Sequence, residues 1–372
     1  MVKLLAAWRD WRDRRAGMRA FRGFQAEDRE WDQYRVKDVL VDAESAIKRD
    51  DFPHAEAMWA KAKSLSQREA ETSSLALPIL LGLKRFDEAE TLMHRLQARK
   101  PAESAYTLGL IQVAQAKGDH QAAVQLAAQA RKRFPRVVEG YAMGLSALRD
   151  CKRFDEAEQL AQESMERFPQ EVLMFMEHAR LATEQADWPA AKERWNTVLT
   201  RFDHASGYLG VAHAMIELQQ FTEADELLAA GRVRYPLEAG IAMEYAHGAE
   251  KRGDAEEASA RWRRVADRFP LHLAAISSAA SALERLGDWK RAEEILMAAA
   301  ERIRHDPVPL IRLGEVQMRQ QDFSAAVETF AKLRKAFPNE IAGYHYGSDA
   351  LDRLGRREDA EALRMTRHSA TH

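Results

Sequence analysis

Apolar positions recur along this 372-residue chain in one fixed register. Ala55, Ala89, Ala123, Ala157, Ala191, Ala224, Ala258, Ala292, Ala326 and Ala360 stand 34 residues apart, with a single 33-residue step after Ala191. Three residues before most of them comes an aromatic: Phe52, Phe86, Phe154, Trp188, Phe221, Trp289 and Phe323. Four residues after come Trp59, Met93, Trp195, Leu228, Trp262, Leu296 and Phe330. That spacing stacks aromatic, small and large side chains on one helical face, which is predicted to be buried. An alanine at its centre predicts a close helix crossing where only a methyl is admitted.

Polar and breaker residues bracket the same segment. Asp51, Asp119, Asp187, Asp254, Asp288 and Asp322 lie four residues before the alanine, placed to cap a helix N-terminus, and Pro53 and Pro189 follow as first-turn prolines. Twelve residues past the alanine, Pro101, Pro135, Pro169, Pro236, Pro270 and Pro338 end the helix. Upstream of each cap lies a second helical segment, such as Glu139 to Asp150, with Ala179, Ala212, Ala246, Ala280 and Gly314 in phase. Each unit is therefore a helix pair, and the chain is an array of units.

The 34-residue period, the Gly-Asp steps at Gly118-Asp119, Gly253-Asp254 and Gly287-Asp288, and the aromatic, alanine and proline columns together resemble the tetratricopeptide repeat over about residues 36–372. His120, Ala255 and Arg357 interrupt the aromatic column. The resemblance implies an all-α fold, a right-handed superhelical solenoid of antiparallel helix pairs, whose first helices line a concave face. On this reading residues 1–35 are a basic amphipathic N-terminal helix or cap. Residues 36–103 hold two degenerate units, split near residue 70, residues 104–340 hold seven, and residues 341–372 are a final unit with a polar C-terminal cap. Arg357, Arg364 and Arg367 occupy apolar columns there, as expected of a face no further unit covers.

Composition agrees with a helical array and narrows the function. Only 11 prolines and 18 glycines occur in 372 residues, and the net charge of −2 gives no mandate for nucleic acid. The single cysteine, Cys151, excludes an internal disulfide framework and fits a reducing compartment. No apolar run reaches bilayer-spanning length, so the expected location is cytoplasmic, or peripheral on the inner face of the membrane. The exception to neutrality is the N-terminus. Leu4, Trp8, Trp11, Met18 and Phe21 fall at helical spacing among basic residues that include Arg12 and Arg15. Such a segment either caps the first unit or docks on an anionic membrane surface or a partner.

Candidate binding residues are read from the first helices. Three positions four residues apart give Ala142, Ser146, Asp150; Met176, Arg180, Glu184; Leu209, His213, Glu217; Met243, His247, Lys251; Ser277, Ser281, Arg285; Ile311, Glu315, Arg319; and His345, Asp349, Arg353. One row is mainly apolar, with Met176, Leu209 and Met243 suited to adaptable contact. The third changes sign midway, from Asp150, Glu184 and Glu217 to Lys251, Arg285, Arg319 and Arg353. Helix-supporting i,i+4 pairs explain part of this pattern. The alternative is a groove with an electrostatic direction for an extended peptide or partner helix.

His213 and His247 hold equivalent positions in adjacent units, but the sequence fixes no further ligand for them, so no metal and no cofactor is expected. Trp59, Trp188, Trp195, Trp262 and Trp289 lie in core columns and read as packing. Nucleotide, hydrolase and zinc-protease motifs are missing from the sequence. The function expected is a non-catalytic protein-interaction scaffold. Two alternatives stand beside it: a peripheral assembly or regulatory subunit of cell-envelope polysaccharide or secretion machinery, and an RNA-processing-type helical repeat scaffold. Self-association is left open by the sequence.

Overall fold

The structure, a computed structural model, describes residues 36–48, 51–338 and 340–370, all of whose regular elements are α-helices. The chain divides into two compact units at Leu160/Ala161. In the first, residues 36–48 (α1) are followed by α2 (Phe52–Thr72), α3 (Ala76–Gly82), α4 (Phe86–Arg99), α5 (Ser104–Lys117), α6 (His120–Arg133), α7 (Val138–Asp150) and the start of α8 (Phe154–Arg167). The second contains the end of α8, then α9 (Val172–Glu184), α10 (Trp188–Phe202), α11 (Ala205–Glu217), α12 (Phe221–Arg234), α13 (Ala239–Lys251) and α14 (Ala255–Arg268). It closes with α15 (Leu273–Arg285), α16 (Trp289–Arg302), α17 (Val308–Arg319), α18 (Phe323–Ala336), α19 (Ile341–Arg353) and α20 (Arg357–Ala370).

From α2 to α7 and from α9 to α20 each helix packs on its sequence neighbours, and the odd-numbered helices α3 to α7 and α9 to α19 also pack on one another in order. This nearest-neighbour pattern defines stacked helix pairs, with an odd A helix and an even B helix per pair. In the second pair of the first unit the A helix, α3, has only seven residues. An extended backbone at Ser66 (φ −158°, ψ 100°) breaks α2 into two helical stretches, one on either side of it.

The repeat alanine is the close-packing point. All ten alanines of the column are at most 1% exposed. The large residues four positions later are buried with them, from Trp59 and Phe330 at 0% to Trp195 at 7%. The small A-helix residue lies against that large one: a Cβ on Gly314 would stand 2.4 Å from the Phe330 ring. The aromatic column three residues before the alanine departs from its expected burial. Its members are half-buried, and Phe52 is 41% exposed, because they sit on the first turn of the B helix at the edge of the pair.

The A–B turn is the same device in nine pairs of the described residues. Five residues before the alanine, Lys84, Gly118, Lys152, Ala186, Gln219, Gly253, Gly287, Gln321 and Gly355 all have positive φ, between 56° and 82°. The next amide reaches back five residues, as Asp119 N does to Ala114 O at 2.9 Å and Gln220 N to Met215 O at 2.8 Å. This closes the A helix in a left-handed cap that satisfies its last carbonyls. The B helix then opens on the expected aspartate: Asp119, Asp187, Asp254 and Asp322 accept from an amide three residues on at 2.9–3.1 Å. Asp288 differs from that expectation. Its carboxylate takes Arg291 at 2.6 Å and Ser259 at 2.8 Å instead, because the two side chains compete for the same oxygen.

Candidate functional site

An arginine column ties successive pairs. Ten residues past the repeat alanine, Arg133, Arg201 and Arg268 donate to the carbonyls of Pro101, Pro169 and Pro236 of the preceding pair, at 2.7, 2.6 and 2.9 Å. Where the 33-residue step puts Asp203 at the proline position, Arg234 binds its carboxylate at 3.1 Å and Tyr235 donates to its carbonyl. These clamps lie at the loops that follow the B helices, which leaves the A-helix faces free for another use.

In the second unit the A helices α9 to α19 touch consecutively, so their outer positions form one continuous face. The row expected to give apolar contact is more buried than the sequence suggested. Met176 is 9% exposed and Met243 packs against the cluster around Trp262, because residues at these positions fill the seam between neighbouring A helices. Leu209 is half-buried. The middle row is partly open, with side-chain exposures of 42% for Arg180, 35% for His213, 29% for His247 and 25% for Glu315. Glu184 is exposed at the end of α9.

The sign change in the third row corresponds to a ladder of ion pairs, not to a free gradient. Lys251 reaches Glu217 on the preceding A helix at 2.7 Å, Arg285 grips Glu250 at 2.8 and 3.2 Å, and Arg319 binds Glu284. Each of these three bases therefore finds its acid on the preceding A helix. Arg319 and Arg353 also face Glu315 and Asp349 within their own helices, at 3.6 and 3.9 Å. Arg180 pairs with the buried Glu177, and Arg312 joins Glu284 to Glu315. In the first unit, Asp150 on α7 lies 3.5 Å from His120 Nδ1.

Sequence reasoning missed the residue that organises the centre of this face. Glu244 on α13 lies between the two histidines, its Oε1 3.0 Å from His213 Nδ1 and 3.5 Å from His247 Nδ1. The imidazoles stack with centroids 6.4 Å apart and planes 20° from parallel, and Trp188 meets His213 edge-on at 5.5 Å. Burial pushes the Glu244 carboxyl up, but hydrogen bonds to both histidines outweigh it and hold its pKa at about 2. The hydrogen bond to Glu244 raises His213 against a burial cost, with Glu217 helping and Lys251 opposing. A third ligand was what the sequence could not supply. Glu244, one position after a row residue, was the signal to follow. Trp188, expected as packing, is also corrected: it is half-buried at the rim of this cluster. Leu4, Trp8, Trp11, Arg12, Arg15, Met18 and Phe21 lie outside the described residues, and no described helix is long and apolar enough to cross a membrane.

Stacked antiparallel helix pairs joined by left-handed caps, with one polar face on the A helices, define an α-helical repeat array. Two models of the tetratricopeptide repeat match the sequence, one over residues 75–138 and 243–307 and the other over 310–340. Over those residues the chain carries tetratricopeptide repeats. Its fold is similar to that of yeast Tom70, at 12% identity and a TM-score of 0.53 over 90% of this chain and 82% of that one. A tetratricopeptide repeat protein from Parabacteroides merdae aligns at 16% identity and a TM-score of 0.40, over 67% of this chain and 98% of that one. The APC/C hetero-tetramer Cut9-Hcn1 aligns at 14% and 0.41, over 84% of this chain and 63% of that one. No curated protein matches the sequence.

Proposed function

We propose that this chain is a non-catalytic protein-interaction scaffold that holds an extended peptide or a helix of a protein partner along the A helices α9 to α19. The observation that carries the reading is the continuous A-helix face, whose middle and third rows keep charged and imidazole groups partly exposed while the B-helix alanine face is spent on packing. A bound segment would exchange partners with the ladder: a basic side chain would take Glu184 or Glu217, and an acidic one would take Lys251, Arg285 or Arg319. Such exchange favours specificity, since a mismatched segment would leave both its own charges and the ladder's unpaired.

The experiment is affinity capture on the full chain compared with Glu184→Lys/Glu217→Lys, with both proteins checked for the same helicity and melting temperature. A partner held by the chain and released by the double variant supports the groove. A partner held equally by both proteins excludes it.

A further inference from the structure

The His213, Glu244 and His247 cluster has the composition and spacing of a cation site. The ligand atoms offered by the three residues all lie within 4.8 Å of one another. Zinc bonded to nitrogen and oxygen at about 2.0–2.1 Å holds neighbouring ligand atoms of a tetrahedron roughly 3.3 Å apart. The two nitrogen–oxygen edges here, 3.0 and 3.5 Å, bracket that value. Position along the helices contributes as well. Glu244 and His247 are three residues apart on α13, one turn on the same side, and His213 projects from the adjacent α11. A Glu-x-x-His pair facing a ligand from a neighbouring helix is a recurrent way for helical proteins to hold a metal.

We propose that His213 Nδ1, His247 Nδ1 and a Glu244 carboxylate oxygen bind one divalent transition-metal ion of the zinc class, bridging adjacent repeats α11 and α13. Two imidazole nitrogens and one carboxylate select zinc, cobalt, nickel or copper over calcium and magnesium, which take all-oxygen shells. Glu244 is the most buried of the three, at 18% side-chain exposure, and supplies the negative charge that offsets part of the ion's. The histidines at 35% and 29% leave the fourth position open to solvent, where a water or a side chain of a bound segment completes the shell. Lys251 is held by Glu217 at 2.7 Å, which limits its repulsion of the ion. Protons compete with the ion for imidazole nitrogens and carboxylates, so binding weakens as pH falls. The proposal does not depend on the scaffold reading.

The test uses the full chain, stripped with a chelator and titrated with Zn²⁺ by calorimetry and with Co²⁺ by visible absorption. One ion per chain is expected, with a cobalt band of four- or five-coordinate nitrogen and oxygen ligation. His247→Gln and Glu244→Gln should each weaken Zn²⁺ binding by at least about tenfold. His94→Ala and His305→Ala, which change histidines outside the cluster, should leave it unchanged. Since Glu244→Gln removes a buried carboxylate, helicity is measured for every variant, and the partly exposed His247→Gln serves as the second probe if that one unfolds. Zinc binding that is absent, or unaltered by His247→Gln in a folded chain, overturns the proposal, as does a cobalt complex with only the weak spectrum of the hexaaqua ion.

Discussion

Gly207 lies directly on the backbone of Leu199: a Cβ at Gly207 would stand 2.6 Å from both Leu199 N and Leu199 Cα. The cause is the single 33-residue step. Only Asp203 and His204 separate α10 from α11, whereas four residues separate α12 from α13, so α11 starts closer to the helix before it. Backbone cannot yield as a side-chain tip can. Gly207→Ala is therefore expected to destabilise the chain by about 2–3 kcal/mol. Gly240→Ala, whose Cβ meets only side-chain atoms of Leu209 and Glu238 at 3.2 and 3.3 Å, should cost far less. Thermal melting followed by circular dichroism compares them, and equal losses would refute the backbone account.

Four of the nine left-handed A–B turns already carry glycine; Lys84, Lys152, Ala186, Gln219 and Gln321 do not. A side chain in that conformation costs roughly 1–2 kcal/mol, partly offset by the extra freedom glycine has when unfolded. Ala186→Gly and Gln219→Gly should each raise stability by about 0.5–1 kcal/mol. Gly253→Ala, at φ 82°, should lower it by a similar amount. A melting temperature unchanged in all three would contradict the cap assignment.

Arg261 is 5% exposed and makes two 2.7 Å bonds to Asp225 on α12, with Glu257 at 2.8 Å and the Tyr245 carbonyl at 2.8 Å. Its guanidinium carbon also lies 3.6 Å from the Tyr245 ring centroid. Asp225→Asn leaves Glu257 as the remaining carboxylate on this buried charge, so it should cost about 1–3 kcal/mol. Arg261→Met combined with Asp225→Leu should recover much of that loss, since an apolar pair has nothing to desolvate. Additive losses in the double variant would show that the hydrogen bonds themselves dominate.

The fold was legible because close packing leaves a periodic trace. Ala191 or Ala326 cannot be larger where two helices cross, and Trp195 or Phe330 must fill the space beside it, so the register survives in the letters. The half-burial of Trp188 was not legible, because a first-turn position looks the same whether a neighbouring A helix covers it or not. The face was legible by position and not by partner. Lys251, Arg285 and Arg319 were found, but their acids sit 34 or 35 residues earlier on another helix, and Glu217, Glu250 and Glu284 belong to two different columns. Glu244 escaped for the same reason. It stands out only when α11 is placed beside α13.

The His213–Glu244 pair makes stability depend on pH in a fixed direction. Glu244 is ionised down to about 2 when folded against 4.5 ordinarily, so its contribution is present above pH 4.5 and is lost as pH falls toward the folded value. His213 is raised above 6.5, so its contribution is complete below that pH and is lost as pH rises through the folded value. The two windows overlap between 4.5 and 6.5. In chelator, His213→Gln should therefore lower the melting temperature more near about pH 5.5 than near about pH 8.5. A deficit independent of pH would mean that packing against Trp188, not charge, is what His213 contributes.

The Glu217–Lys251 rung separates holding the helices together from holding a partner. With side chains 22% and 44% exposed, the pair is in contact with water. Such pairs are worth about 0.2–1 kcal/mol. Exchanging them as Glu217→Lys/Lys251→Glu keeps the rung and should leave the melting temperature close to that of the parent chain. It reverses the charges presented by α11 and α13 at those positions, so a segment that reads the face electrostatically should bind more weakly, with the difference shrinking as salt is raised. Surface plasmon resonance against the captured partner at two ionic strengths measures this. A swap that unfolds the chain would make the rung structural, and one that leaves both stability and affinity unchanged would remove this rung from the recognition surface.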